Sequence, residues 1–246
     1  MATEEWSEIV ATIRTLTHEE RHEELLDVLE GAIQKRGMEA RNFQNLLLMS
    51  AARINSPKIH KYIEELNNYD APEIANVLME AGCYEEAFKV YVKFEVHDKA
   101  MRVLLDKVGD ISRGYQYAIE CDKPPIWMQM GRAFLELPEA LPAHAIYCYL
   151  KAEEAGPVEL VIEKAKAAGE WESLIQYLLM AQRKAPSTAV DNALAFAFAS
   201  TQRIFNLIDL LNKPNLIQVF ELGKECQDHG FNEAAKELFK SIEHLD

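Results

Sequence analysis

Along residues 71–96, APEIANVLMEAGCYEEAFKVYVKFEV, apolar positions recur at helical spacing on both sides of a single glycine. Ile74, Val77, Leu78 and Ala81 fall at i, i+3, i+4 and i+7, which lines one face of a helix. Pro72 suits a first helical turn, where its missing N–H costs nothing. Gly82 sits where a helix would end in the left-handed conformation. A second stripe follows at Tyr84, Ala87, Phe88 and Tyr91. The pattern predicts two short helices folded back on each other. Each has one apolar face, so the hairpin needs neighbours to bury both.

The chain supplies them. The stripe recurs as Ile111, Gly114, Tyr115 and Ala118, then as Pro142, Ala145, Ile146 and Tyr149. It returns as Trp171, Leu174, Ile175 and Leu178, as Ile204, Leu207, Ile208 and Leu211, and as Phe231, Ala234, Ala235 and Leu238. The spacing averages about 30 residues, the range of helix–turn–helix solenoids. Ahead of residue 71, Trp6, Ile9, Val10 and Ile13 open a first helix. Thr17 and Glu20 read as a capping box that launches a long helix with the stripe Leu25, Leu26, Leu29 and Ile33, closed by Gly37. A third helix is expected from about Asn42 to Ile54, and a fourth carries Ile59, Tyr62, Ile63 and Leu66.

Punctuation falls between the periodic runs, at Gly109-Asp110, Lys123-Pro124-Pro125, Gly156-Pro157, Gly169, Ala185-Pro186, Lys213-Pro214-Asn215 and Gly230. Residues 137–142 carry two prolines and read as a rigid connector. No strand pattern and no low-complexity linker intervenes. The expected organisation is all-α: hairpins in residues 1–70 lead into repeats over 71–246, forming one continuous solenoid. Its final stripe, Leu238, Phe239 and Ile242, has no polar helix after it, so the chain reads as a piece of a longer protein. Roughly eight hairpins at about 9–10 Å per layer make a rod of about 75 Å. Its radius of gyration is expected near ~24 Å, against ~18 Å for a compact chain of this length.

Composition narrows the function. The 246 residues are 49% hydrophobic, ample for a core. A net charge of −14 argues against nucleic acid or anionic lipid as the main partner. Cys83, Cys121, Cys148 and Cys226 form no C-x-x-C pair and read as buried reduced thiols within helical patterns, as in a cytosolic protein. No apolar run reaches the length of a membrane span, and MATEEW is too acidic and polar to open a signal peptide.

Motifs of chemistry are sparse. His18-Glu19-Glu20-Arg21-His22 spells H-E-x-x-H, the zinc-peptidase pattern. Its intervening residues are charged and its glutamate is claimed by the capping box, so it reads as a solvated helix start. His60, His97, His144, His229 and His244 lie apart, near helix ends. No phosphate-cradling or nucleophile-elbow motif occurs. Glu85-Glu86 and Glu153-Glu154 are adjacent on helices, where side chains point apart. Tyr84, Trp171 and Phe231 read as core knobs. Lys89, Lys93, Lys99, Arg102 and Lys107 form a basic cluster in an acidic chain. They read as a solvated face or as a contact surface for an acidic partner helix. No catalytic, cofactor or metal site is expected.

Four stretches resemble the clathrin heavy chain: RNFQNLLL (41–48), NNYDAPEIAN (67–76), EEAFKVYVKFEV (85–96) and GEWESLIQYLLMAQRK (169–184). NNYDAPEIAN is the most specific, because core packing does not dictate a polar loop. The resemblance covers about 200 residues from near Arg41 onward, with residues 1–38 matching only in helical pattern. It departs at residues 137–142 and 186–191. It implies an α-zigzag solenoid, a right-handed superhelix of stacked hairpins, and a structural role in vesicle coats at the cytoplasmic face of coated pits and coated vesicles. The stretch resembles the end of the distal leg, the knee and the start of the proximal leg. Implied partners are other heavy-chain legs, with light chain docking mainly elsewhere and membrane reached only through adaptors. Subunits of endosomal tethering complexes share such repeats and are the alternative; the NNYDAPEIAN match favours clathrin.

Overall fold

The computed structural model describes residues 2–36 and 41–243, and among them every regular element is helical. The chain divides into two units, residues 1–114 and 115–246. The first holds α1 (Ala2–His18), α2 (His22–Arg36), α3 (Arg41–Arg53), α4 (Ile59–Glu65), α5 (Ala71–Glu80), α6 (Tyr84–Lys93) and α7 (His97–Arg102). α7 runs on into a wider π-helical segment, Val103–Val108. The boundary falls inside α8 (Ile111–Cys121). The second unit continues with α9 (Pro124–Glu136), α10 (Pro142–Ala152), α11 (Val158–Ala168) and α12 (Trp171–Lys184). It closes with α13 (Thr188–Ser200), α14 (Ile204–Leu211), α15 (Val219–Asp228) and α16 (Asn232–Glu243).

Packing follows one rule in both units. In the first, α3 meets α2, α4 and α5, while α6 meets α4, α5 and α7. In the second, α12 meets α10, α11 and α13; α13 meets α11, α12, α14 and α15; and α16 meets α14 and α15. Helices of a hairpin pack on each other and on a helix of the adjoining hairpin, as α5 does on α6 and α3 and α12 does on α13 and α10, which is a zigzag of stacked hairpins. This arrangement lets a single apolar stripe be covered from two sides. Leu47, Leu48, Ile74, Ala75, Leu78, Ala87 and Val90 are buried in the first unit, and Ala145, Tyr149, Leu174, Leu178, Leu207 and Leu238 in the second.

The tight reversals share one turn. At Gly82 (φ 78°) the N–H of Cys83 donates to the carbonyl of Leu78 at 2.9 Å, satisfying an orphan acceptor of α5. The same bond joins Ser56 to Ala51, Val96 to Tyr91, Glu154 to Tyr149 and Arg203 to Phe198. The left-handed residues there are Asn55, Glu95, Glu153 and Gln202, none of them glycine. Reading helix ends from glycine misses these turns, because the hairpin's packing imposes a backbone that the side chain disfavours.

Two expectations near the N-terminus are corrected. Thr17 lies inside α1, its hydroxyl donating back to the carbonyl of Ile13 at 2.7 Å, so it caps nothing. Glu20 takes φ 55° at the reversal instead of filling a capping box. The expected stop at Gly37 lies outside the described residues, as does His244. Cys83 stands just before α6 and Cys121 is half-buried at the end of α8; Cys83, Cys148 and Cys226 are buried. Tyr84, Trp171 and Phe231 are half-buried and seal hairpin edges. In the second unit Trp171 and Phe231 close on Phe196, at ring separations of 5.7 and 5.6 Å.

Candidate protein-contact surface

The basic cluster is carried by α6, α7 and the π-helical segment, and its members differ in what they touch. Lys93, at the end of α6, reaches the C-terminus of α4. Its Nζ donates to the carbonyls of Ile63, Glu64 and Leu66 at 2.7, 2.9 and 2.6 Å. Those carbonyls have lost their helical partners, and an ammonium with three protons supplies all three. Burial pulls Lys93 below the usual lysine range, with the Glu64 carboxylate opposing it. Lys93 thus serves the internal packing of the repeat.

Lys89 is also turned toward α4. Its Nζ lies 2.7 Å from Nδ1 of His60, and His60 Nε2 lies 2.9 Å from a Glu64 carboxylate oxygen. Lys99 is exposed, with its Nζ 5.6 Å from the centre of the Tyr91 ring. Arg102 and Lys107 are exposed as well. Arg102 ends α7, and Lys107 lies in the π-helical segment that follows, whose turns are wider than those of an α-helix. Glu95, Asp98 and Asp106 are exposed among these cations, so the surface alternates in sign.

Polar contacts elsewhere tie successive hairpins together. Arg113 grips Glu85 through two bonds of 2.6 and 2.9 Å, and Arg203 meets Glu172 at 2.6 Å. Tyr62 donates its hydroxyl to Glu30, which also receives Lys58. Partners 28–32 residues apart make these pairs, one repeat length. The loop ahead of α5 is held similarly. Gln44 and Asn45 of α3 accept the backbone N–H groups of Asn68 and Asp70 at 2.9 and 2.8 Å, while Arg41 pairs with the Asp70 carboxylate at 2.7 Å. RNFQNLLL and NNYDAPEIAN, far apart in sequence, are thus two halves of one contact.

The H-E-x-x-H residues do not share a helix: His18 ends α1 and His22 begins α2. Arg21 between them pairs with Glu19 and Glu24. Among the described residues no group of three or more His, Cys, Asp and Glu side chains could hold a metal ion. No described helix is long and apolar enough to cross a membrane. Burial pushes the Cys148 thiol up to about 12 and Cys226 up to about 11, which suppresses the nucleophilic thiolate.

Stacked helical hairpins joined by repeat-length polar contacts define a helical-repeat scaffold. The chain belongs to the clathrin-repeat family, whose model, described as a region in clathrin and VPS, matches residues 1–140 and 149–246. It is similar to the probable clathrin heavy chain 1 of Caenorhabditis elegans, 32% identical over 245 residues, 99% of this chain and 14% of that protein. Clathrin heavy chain 2 of Homo sapiens is also 32% identical over 99% of this chain, which covers 15% of it. The clathrin heavy chain of Dictyostelium discoideum is 29% identical over 97% of this chain and 14% of its own length. The chain therefore spans about one-seventh of the length of these relatives. Similarity reaches back through residues 1–38, beyond the roughly 200 residues legible in the four stretches. The unmatched residues, 141–148, begin within the proline-bearing connector.

Proposed function

We propose that this chain is a structural segment of a vesicle coat, a stretch of heavy-chain leg from the end of the distal leg, through the knee, to the start of the proximal leg. The observation that carries the reading is similarity to clathrin heavy chains along nearly the whole chain. The tethering-complex alternative shares the repeat but has no such support among these relatives. The segment acts without catalysis, at the cytoplasmic face of coated pits and vesicles. Its partners are other heavy-chain legs; light chain binds mainly outside it, and adaptors link it to membrane. A repeat scaffold spreads modest contacts along its surface, and avidity across many legs holds the lattice.

The exposed members of the basic cluster, Lys99, Arg102 and Lys107, together with Lys89, form a contact surface for an acidic stretch of a partner. Affinity purification of the native polypeptide, followed by mass spectrometry, tests both statements. The coat reading expects light chain and vesicle adaptors; tether subunits without light chain contradict it. Charge reversal at Lys99, Arg102 and Lys107 lowers recovery of a specific partner, and an unchanged partner set removes the cluster from the account.

The repeats form one continuous solenoid, a reading supported by the stripe that recurs from Tyr84 to Phe231. Solution scattering is expected to give a radius of gyration of ~24 Å, and a value of ~18 Å contradicts it.

A further inference from the structure

The loop contact ahead of α5 has a second copy. Asp191 and Asn192, the fourth and fifth residues of α13, accept the backbone N–H groups of Leu216 and Gln218 at 2.7 and 2.8 Å. Gln44 and Asn45 are the fourth and fifth residues of α3 and hold Asn68 and Asp70 in the same way. In both copies the bound amides stand three residues and one residue before the next long helix, α5 or α15. The surroundings match too. α3 and α13 both have 13 residues, and α5 and α15 both have 10. Left-handed Asn55 and Gln202 end the first pair, and left-handed Gly82 and Gly230 end the second.

The supporting chemistry differs. Gln44 is a neutral amide, whereas Asp191 is a carboxylate, 2% exposed, that also receives the Gln182 side-chain amide at 2.5 Å. Asp70 is gripped by Arg41, whereas Gln218 accepts the Asn192 amide at 3.0 Å. Different side chains therefore perform one geometric task, holding two alternate amides that no helix yet satisfies. Three of the four bonds are part-buried, and a part-buried amide left without an acceptor is costly, so each pair favours one loop path over its neighbours.

We propose that residues 44–45 and 191–192 are two copies of one register lock, a conformational device that fixes where α5 and α15 begin. Each lock acts on its own hairpin. Releasing it frees the loop and first turn that follow while leaving the other copy closed. The loop ahead of α10 contrasts with both: there the Leu141 N–H donates to a backbone acceptor, the Phe134 carbonyl, at 3.0 Å.

Hydrogen exchange read by mass spectrometry on the full chain tests the device. Asn45 and Asn192 are half-buried, so alanine there spares the hairpin core. In Asn192→Ala, amides of residues 216–220 are expected to exchange about tenfold faster, with residues 68–72 unchanged. Asn45→Ala is expected to show the reverse. Unchanged exchange in the adjoining loop overturns the proposal. Equal acceleration in both segments also overturns it, since that reports a general loss of stability. Asp191→Asn, which keeps one acceptor oxygen, is expected to release the loop less than Asp191→Ala; equal release by the two contradicts the assigned role of that oxygen.

Discussion

Tyr149 is completely buried, and two glycines make room for its ring. A Cβ at Gly131 would lie 3.0 Å from the ring, and one at Gly156 only 2.6 Å away. Gly156 also takes φ 62°, so alanine there meets strain twice. Gln202 presents the opposite case, a left-handed residue (φ 56°) whose side chain is exposed. Paired substitutions separate the two effects. Gly156→Ala is expected to lower stability by about 2 kcal/mol. Gln202→Gly is expected to raise it by about 0.5–1 kcal/mol, relief of the left-handed strain exceeding the added freedom of the unfolded chain. Urea unfolding of both proteins checks this, and a Gln202→Gly protein weaker than the parent contradicts the strain argument.

At the scale of elements, hairpin joins depend on polar pairs as well as on stripes. The Glu30 carboxylate is held below its usual range, chiefly by the Tyr62 hydroxyl and further by Lys58, with burial opposing them. Burial and the Glu30 bond keep the Tyr62 phenol protonated well beyond its usual range. A carboxylate depressed on folding contributes stability above its unfolded pKa, and that contribution is lost as pH falls through the folded value. Glu30→Gln is therefore expected to lose less stability than the parent between about pH 5 and pH 3. Denaturant midpoints at both pH values decide it; identical acid sensitivity in the two proteins removes Glu30 from the account.

Legibility at this scale followed physical cause. Pro72, Pro124 and Pro142 mark helix starts because a fixed φ and a missing donor are properties of the residue itself. Turns at Glu95, Glu153 and Gln202 are left-handed without a glycine, so no local residue announces them. Thr17 and Glu20 had the spacing of a cap, but a helix already in progress took the threonine. The polar pairs of α3 and α13 look like solvated positions until the loop some 25 residues later is folded against them.

For the whole molecule, the recurring stripe made the all-α hairpin class legible, since a one-sided helix can be buried only by neighbours like itself. The contact surface was less so. Composition marked five cations, yet Lys93 proved to cap α4 and Lys107 to lie in a π-helical segment. The coat role is proposed from similarity to clathrin heavy chains along this chain. Sedimentation and electron microscopy of the purified native polypeptide under coat-assembly conditions test that proposal. Pelletable polyhedral lattices in which the polypeptide is a stoichiometric strut are expected. A polypeptide that stays in the supernatant as a discrete complex, with no lattice on the grid, would contradict it.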